Sequence, residues 1–160
     1  FEWATSRKVG LILMHRSARP ELMQDRTDYN DVVKETYDFL KSQVSLAHES
    51  GVAHVWCDPG IGFGKTLEQN LSILRATSRY ATLGNGVLIG VSRKSWIGHL
   101  CGDDIDSRLG GSLSAALFAA RKNAAILRVH DVKETVQALT VQETLDSTTS
   151  SCNDLISSSA

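Results

Sequence analysis

The sequence predicts an α/β fold of four consecutive parallel βα units, and two observations lead to this expectation. Four short apolar runs recur without polar alternation, which is typical of strands covered on both faces of a parallel sheet. A helical pattern follows each run, so the connections should be right-handed crossovers. An eight-unit barrel takes about 250 residues, and this chain has 160 residues. We therefore expect half of a barrel or a small open sheet, and the helix-like start FEWATSRK favours half a barrel.

The strands and helices can be placed in order along the chain. The predicted strands are the apolar runs 9–15, 53–58, 86–94 and 124–131. Apolar residues at three- and four-residue spacing predict an amphipathic helix over 31–49, with an inward stripe of Val33, Tyr37, Leu40, Val44 and Ala47. A capping box over 66–69 opens the second helix, the alanine-rich segment 112–120 forms the third, and a cap over 131–134 opens the fourth.

Composition limits the classes of function. A net charge of −1 and 42% hydrophobic residues fit one soluble domain over 1–145, and no basic stripe indicates nucleic acid or an acidic membrane surface. No apolar run approaches the ~20 residues of a membrane span. Three scattered cysteines, Cys57, Cys101 and Cys152, disfavour a zinc site or a disulfide framework. The Ser/Thr-rich residues 146–160 are predicted to be a disordered tail.

The glycine-rich stretch DPGIGFGKT, residues 58–66, resembles a phosphate-binding loop but matches neither common template. A Walker loop needs a glycine where Pro59 stands, and a dinucleotide fingerprint needs its third glycine where Lys65 stands. The ATP and NAD interpretations are therefore weak, and the glycines indicate close approach of some other ligand.

Polar and charged residues follow each predicted strand at its carboxyl end, where parallel α/β folds place their ligand sites. The first strand ends at Met14 and His15, the second at Asp58, the third at Ser92, Arg93 and Lys94, and the fourth at Arg128 and His130. A carboxylate beside glycines suits the amino-pyrimidine edge of a flat heterocycle, and cations with a histidine suit an anionic leaving group. The set predicts a transfer reaction between a phosphate-carrying heterocycle and an acidic acceptor.

Simpler interpretations of single residues stay open. Asp58 before Pro59 could start a turn, and Arg93 and Lys94 could lie in a solvated loop. Ser92 could cap the helix that follows it, and His130 could be structural. The other histidines, His48, His54 and His99, are interpreted as surface or core residues without a ligand role.

The motifs LMHRSARPELMQ, DPGIGFGKTLEQNL, GVSRKSWIG, RLGGSLSAALFAA and ILRVHDVKETVQAL occur over roughly residues 9–145. In their order and spacing the chain resembles the C-terminal half of the dihydropteroate synthases. The resemblance implies the second half of a (β/α)8 TIM barrel, with its fifth to eighth strands and helices. It also implies that the first four strands are absent, together with the Asn-Val-Thr-Pro-Asp-Ser-Phe loop that completes the active site, so this segment alone would be inactive.

The resemblance implies a role for each motif residue. Asp58 would accept bonds from the pterin, Lys94 would reach the other side of the ring, and Met14, Gly62 and Phe63 would line the pocket. Arg128 would stack over the pterin and, with His130, hold the pyrophosphate. Ser92 would contact the p-aminobenzoate carboxylate, and Arg93 is placed among the substrate-binding residues. The implied catalytic residues are Lys94, Arg128 and His130.

The implied reaction joins p-aminobenzoate to 6-hydroxymethyl-7,8-dihydropterin diphosphate and gives 7,8-dihydropteroate and pyrophosphate, without a covalent enzyme intermediate. Mg²⁺ would be bound mainly by the diphosphate and the missing half, with no metal ligand predicted here. A homodimer and a cytoplasmic location are implied as well. Two alternatives remain: another pterin enzyme, such as a corrinoid methyltransferase, and a non-catalytic half-barrel that binds a pterin or anion.

Overall fold

The computed structural model describes residues 1–16, 28–102 and 104–156; part of the LMHRSARPELMQ motif lies outside them. Strands and helices alternate along the described chain. The elements are α1 (Glu2–Arg7), β1 (Leu11–Met14), α2 (Val32–Glu49), β2 (Val55–Asp58), α3 (Leu67–Arg75), α4 (Thr77–Tyr80), β3 (Leu88–Ile89), α5 (Ser95–Cys101), a 3-10 turn (Ile105–Ser107), α6 (Leu109–Arg121), β4 (Ile126–Leu127) and α7 (Val132–Ile156).

All strand pairs in the described residues are parallel, which confirms the predicted α/β class. β1 pairs with β2, so that Leu11 lies opposite Val55 and Met14 opposite Asp58. β3 pairs with β4 through Leu88 and Ile89. A single parallel bridge from Cys57 to Val87 joins the two pairs. The carboxyl ends of the strands therefore lie along one edge.

The strands are shorter than predicted, because the backbone leaves the ladder as soon as it enters the loops at this edge. The run predicted over 86–94 forms a strand only at Leu88 and Ile89, with the single bridge at Val87 before it, and Arg93 already has a left-handed φ of 56°. The prediction that every strand is covered on both faces is wrong for β1. Ile12 is 51% exposed and Met14 38% exposed, because only the other face of β1 packs on the core.

Helix α2 packs on the strands through a buried stripe. In the first two turns of the helix this stripe is shifted by one residue from the predicted one. Its buried residues are Val32, Thr36, Leu40, Val44 and Ala47, and Asp31 caps it by accepting from Lys34 N at 2.9 Å. A threonine lies on the buried side because Thr36 Oγ1 bonds to the buried Tyr80 hydroxyl.

Helix α7 continues past the predicted end of the folded domain. Its backbone is helical to Ile156, where the sequence predicts a disordered tail from residue 146; residues 157–160 lie outside the described part. Hydroxyl side chains are accommodated because they donate to carbonyls one turn earlier, as Thr144 Oγ1 does to Thr140 O at 2.8 Å. None of the described helices combines the length and the apolar composition that a membrane span needs.

The predicted capping box at the start of α3 is present. Thr66 Oγ1 accepts from Gln69 N at 3.3 Å, and Gln69 Oε1 accepts from Thr66 N at 2.9 Å. We expect Thr66→Ala to lower the free energy of unfolding by about 1 kcal/mol, measured by urea denaturation. Thr140→Ala is the control, since its exposed hydroxyl bonds only within α7; equal losses in both variants would contradict the capping role.

Candidate active site

The glycine loop after β2 folds back over the end of β1. Gly60 N–H donates to Asp58 Oδ1 at 2.8 Å, and Gly60 has a φ of +70°. A Cβ at residue 60 would lie 1.9 Å from His15 O, so the chain passes β1 too closely for any side chain. Glycine here serves a close backbone approach and also lets the loop hold one oxygen of Asp58.

Asn70 fastens the same loop to α3. Its Oδ1 accepts from Gly62 N at 2.7 Å, and its Nδ2 donates to Lys65 O at 3.1 Å and to Thr66 O at 2.8 Å. The sequence analysis missed Asn70, which is only 4% exposed. The available signal was its position, since it stands three and four residues before the buried Ile73 and Leu74 and so lies on the apolar face of α3.

Asp58 is a buried carboxylate at the carboxyl end of β2, 6% exposed. Burial raises its pKa, while the bond from Gly60 and the nearby charges of Arg128, Lys94 and Lys65 act in the opposite direction. Asp58 does start a turn, since its Oδ1 accepts from the N–H two residues on, but a turn alone does not require a buried carboxylate with three cations nearby. It is a charge held away from water among cations, which is typical of a ligand-binding carboxylate.

Lys94 and the glycine loop form one wall around Asp58. Lys94 Nζ lies 4.1 Å from the centre of the Phe63 ring, and a Cβ at Gly62 would come within 2.9 Å of Lys94 Cδ. Burial lowers the pKa of Lys94, as does the charge of Arg128. Lys94 is therefore not in a solvated loop, and the predicted residues Asp58, Gly62, Phe63 and Lys94 are brought together.

The carboxyl ends of β3 and β4 are joined by Ser92. Its Oγ accepts from His130 N at 3.2 Å and lies 3.0 Å from His130 Nδ1. The alternative that Ser92 caps the next helix is wrong, because the N-cap of α5 is Lys94. Arg128 lies across Gly90, where a Cβ would be 3.2 Å from Arg128 Nη2. Ser92, Lys94, Arg128 and His130 line a cavity of about 340 Å³.

Arg93 also lines this cavity, and its guanidinium forms an ion pair with Asp131 at the start of α7. Nε donates to Asp131 Oδ2 at 3.1 Å, and Nη2 donates to Oδ1. The bonds from Arg93 lower the pKa of Asp131. The backbone of Arg93 is held too, since its N–H donates to Ser112 Oγ at 2.9 Å and its carbonyl accepts from Arg108. Arg93 therefore fixes the loop that presents Ser92 and Lys94.

Met14 and His15, at the carboxyl end of β1, lie next to the glycine loop and complete the site. Met14 is the register partner of Asp58, so the two side chains leave the sheet on the same face. His15 is buried against the rings of Phe39 and Tyr29, at centroid distances of 5.1 and 6.1 Å. Within the described residues no group of three or more His, Cys, Asp or Glu side chains could hold a metal ion.

Solved structures of similar sequence share this fold. The dihydropteroate synthase of Thermus thermophilus in complex with 6HMPPP superimposes with a TM-score of 0.87 at 43% identity, over 90% of this chain and 58% of that one. The complex of the same enzyme with 4-aminobenzoate gives a TM-score of 0.86, over 90% of this chain and 60% of that one.

Curated relatives give the same result. The dihydropteroate synthase of Escherichia coli (strain K12) is 40% identical over 144 residues, 89% of this chain and 51% of that protein. That of Neisseria meningitidis serogroup C is 44% identical over 140 residues, 85% of this chain and 50% of that protein. The chain thus spans about half the length of the curated relatives it matches. The sequence model of the family described as pterin binding enzyme matches residues 1–130. The chain therefore belongs to the pterin binding enzyme family.

Proposed function

We propose that this chain is the C-terminal half of a dihydropteroate synthase, in which its four strands are the fifth to eighth of a (β/α)8 barrel. The whole enzyme would join p-aminobenzoate to 6-hydroxymethyl-7,8-dihydropterin diphosphate in folate biosynthesis. One observation carries the proposal: the buried carboxylate of Asp58, held by Gly60 N–H at 2.8 Å, lies between the glycine loop and Lys94.

Asp58 would recognise the amino-pyrimidine edge of the pterin. Its Oδ1 already accepts from Gly60 N, so the two oxygens are oriented before any ligand arrives. A heterocycle that presents two adjacent N–H groups would compensate the buried charge with charge-assisted bonds. A ligand without these donors would leave the carboxylate poorly solvated, which makes the site selective.

Phe63, Gly62 and Lys94 would bound the ring of the pterin, with Met14 at its edge. Lys94 Nζ is a cation 4.1 Å from the Phe63 ring centre, placed to meet the polar edge opposite Asp58. Gly62 leaves room for the Lys94 side chain, since a Cβ there would meet Lys94 Cδ at 2.9 Å.

Arg128 and His130 would bind the diphosphate and stabilise it as it leaves. Arg128 lies beside Gly90, and His130 is fixed by Ser92 at 3.0 Å. In the step itself the amine nitrogen of p-aminobenzoate forms a bond to the pterin methylene carbon, and the bond from that carbon to the diphosphate oxygen breaks. Pyrophosphate departs with the electron pair, and the amine nitrogen loses a proton.

Ser92 and Arg93 would serve the second substrate. We place the p-aminobenzoate carboxylate near Ser92, at the mouth of the cavity that Arg93 also lines. Arg93 would contribute there while its guanidinium remains paired with Asp131.

Within the described residues no three His, Cys, Asp or Glu side chains converge on a point that could hold a metal ion. We therefore derive no step through the metal, which the resemblance assigns to the diphosphate and the other half.

We further infer a homodimer, supported by an apolar groove of about 330 Å³ between α3, α5 and α6 with exposed Leu100 and Phe118. A cytoplasmic location rests on the resemblance alone.

A calorimetric titration of this chain with 6-hydroxymethyl-7,8-dihydropterin diphosphate tests the proposal. We expect saturable binding, and Asp58→Asn should weaken it about 10- to 100-fold because a charge-assisted pair is lost. Asp38→Asn is the matched control, since Asp38 pairs with Lys34 on the exposed face of α2. Absence of binding to a chain that circular dichroism shows to be folded would contradict pterin binding by this half. Binding that is unchanged in Asp58→Asn would place the pterin elsewhere.

A further inference from the structure

Lys65, the last residue of the glycine loop before the α3 cap, turns its ammonium back into the loop. Nζ donates to Gly60 O at 3.0 Å and to Phe63 O at 3.1 Å. It also lies 3.4 Å from His15 Nδ1. An ammonium has three N–H donors, and these three atoms match them in number.

The third contact requires a neutral imidazole at His15. Protonated Lys65 has no lone pair, so His15 Nδ1 must accept. Burial and the positive charge of Lys65 lower the pKa of His15 to about 4, which keeps the ring neutral near pH 7. The arrangement therefore joins the end of β1 to both ends of the 60–63 turn through a single cation.

Gly60 connects this cation to the proposed pterin carboxylate. Its carbonyl accepts from Lys65, while its N–H, on the other side of the same α-carbon, donates to Asp58 Oδ1 at 2.8 Å. Gly60 has little steric restriction of its own at a φ of +70°. External bonds must hold the two peptide planes. On the carbonyl side Gly60 O accepts from Phe63 N at 3.2 Å and from Lys65 Nζ at 3.0 Å, and of these two donors only Lys65 also reaches Phe63 O and His15.

We propose that Lys65 is a positioning residue for pterin binding, which fixes Gly60 and Phe63 and through Gly60 orients the carboxylate of Asp58. This inference rests on the proposed function, since Asp58 and Phe63 are its pterin contacts. Lys65 itself is directed at loop carbonyls and His15, and its effect on a ligand is transmitted through other residues.

Charge supports the same role. The positive charge of Lys65 helps to keep Asp58 ionised against the effect of burial. The pKa of Lys65 is lowered to about 8, chiefly by burial; the charge of Asp58 raises it and the charge of Lys94 lowers it. Among the described residues, the titratable groups that face Lys65 are His15, Asp58 and Lys94, with the ring of Tyr29 at 6.0 Å. A neutral Lys65 would still donate hydrogen bonds but would no longer balance Asp58.

The test compares Lys65→Met with Lys94→Met, using amide hydrogen exchange of the free chain and titration with the dihydropterin diphosphate. Lys65→Met should speed exchange at Gly60 and Phe63 by about tenfold and weaken binding by about tenfold. Lys94→Met should weaken binding while exchange at Gly60 stays as in the wild type. Lys41→Met, on the exposed side of α2, should change neither quantity.

A pH series separates positioning from simple structural support. Affinity of the wild-type chain should fall as the pH rises through about 8, where Lys65 loses its proton. Lys94→Met should keep this step but move it to higher pH, because the charge of Lys94 no longer lowers the pKa of Lys65, and Lys65→Met should lack it. Equal pH profiles for the wild type and Lys65→Met, or unchanged exchange at Gly60, would overturn the proposal.

Lys65→Arg tests the positioning role of Lys65 if Lys65→Met does not fold. A planar guanidinium retains the charge but cannot direct three N–H groups at three converging acceptors. Faster exchange confined to residues 60–63 in this variant supports positioning, and wild-type exchange overturns it. Because exchange is measured without ligand, it still tests the role of Lys65 if the wild-type chain fails to bind the pterin, a result that would count against the proposed function alone.

Discussion

Gly60→Ala is expected to lower the free energy of unfolding by about 3 kcal/mol or more and to remove pterin binding. An added Cβ would lie 1.9 Å from His15 O, far inside contact distance. Neither backbone can move away easily, because His15 N donates to Asp58 O at 2.9 Å and so ties the end of β1 to β2. The left-handed φ of +70° adds strain for any residue with a side chain. Urea denaturation followed by circular dichroism measures the loss.

Gly102→Ala provides the matched control. Gly102 has nearly the same φ, +72°, but no heavy atom of the described chain lies within 4 Å of the Cβ position. It should therefore show only the conformational cost of about 1 kcal/mol. If the two variants lost equal stability, the close approach to His15 would not be the reason for a glycine at residue 60.

The sequence was sufficient to place several residues of the candidate site at one edge of the sheet, because strand ends follow from local patterns. Asp58 comes directly after an apolar run, as do Ser92 and Arg128 in theirs. Parallel pairing then brings such ends to one edge. The structure places Asp58 beside the glycine loop and Lys94, as the motifs predicted.

Residues whose role depends on how the glycine loop folds back on itself were not assigned in this way. Lys65 and Asn70 were missed, because a lysine after a glycine run and an asparagine in a helix are ordinarily solvated. Only the fold shows that the loop closes over the Lys65 ammonium and that Asn70 faces Gly62.

The local interpretation failed for Ser92, and for Asp131 the predicted cap position left out a tertiary partner. Ser92 stands where a helix cap is expected, yet its Oγ bonds to His130, which lies 38 residues further along the chain. Asp131 has the sequence of a cap, and both its oxygens accept from the Arg93 guanidinium. The bond between Ser92 and His130 and the bonds from Arg93 to Asp131 lie at the carboxyl ends of the strands. Each fixes a residue of the candidate site.

Acid is expected to destabilise the chain through His15. Its pKa falls from 6.5 to about 4 in the folded state, because burial and the charge of Lys65 disfavour the imidazolium; a backbone hydrogen bond of His15 and the charge of Glu35 act in the opposite direction. Between these two values the unfolded chain binds more protons than the folded chain, so stability from this group is lost as the pH falls from about 6.5 to about 4. The full loss is about 3 kcal/mol at about 1.4 kcal/mol per pH unit.

Protonation of His15 would also end its bond from Lys65, since both nitrogens of an imidazolium are donors and two cations would then face each other 3.4 Å apart. Asp58 has the opposite effect on stability at the lowest pH values of this range. Its pKa is raised in the folded chain, so the folded chain binds a proton at Asp58 more readily than the unfolded chain does. The net slope should therefore be steepest at mildly acid pH and flatten toward pH 4.

Urea denaturation across this pH range measures the effect, with His15→Gln as the test variant, since glutamine can still accept a bond from Lys65 without titrating. His15→Gln should lose most of the pH dependence, whereas His99→Gln on the exposed side of α5 should retain it. A His15→Gln variant with the wild-type slope would show that the acid sensitivity arises elsewhere. If the free energy of unfolding of His15→Gln does not change with pH, the acid sensitivity of the wild type arises from His15. The neutral ring of His15, which accepts from Lys65, then helps to keep the glycine loop folded against β1.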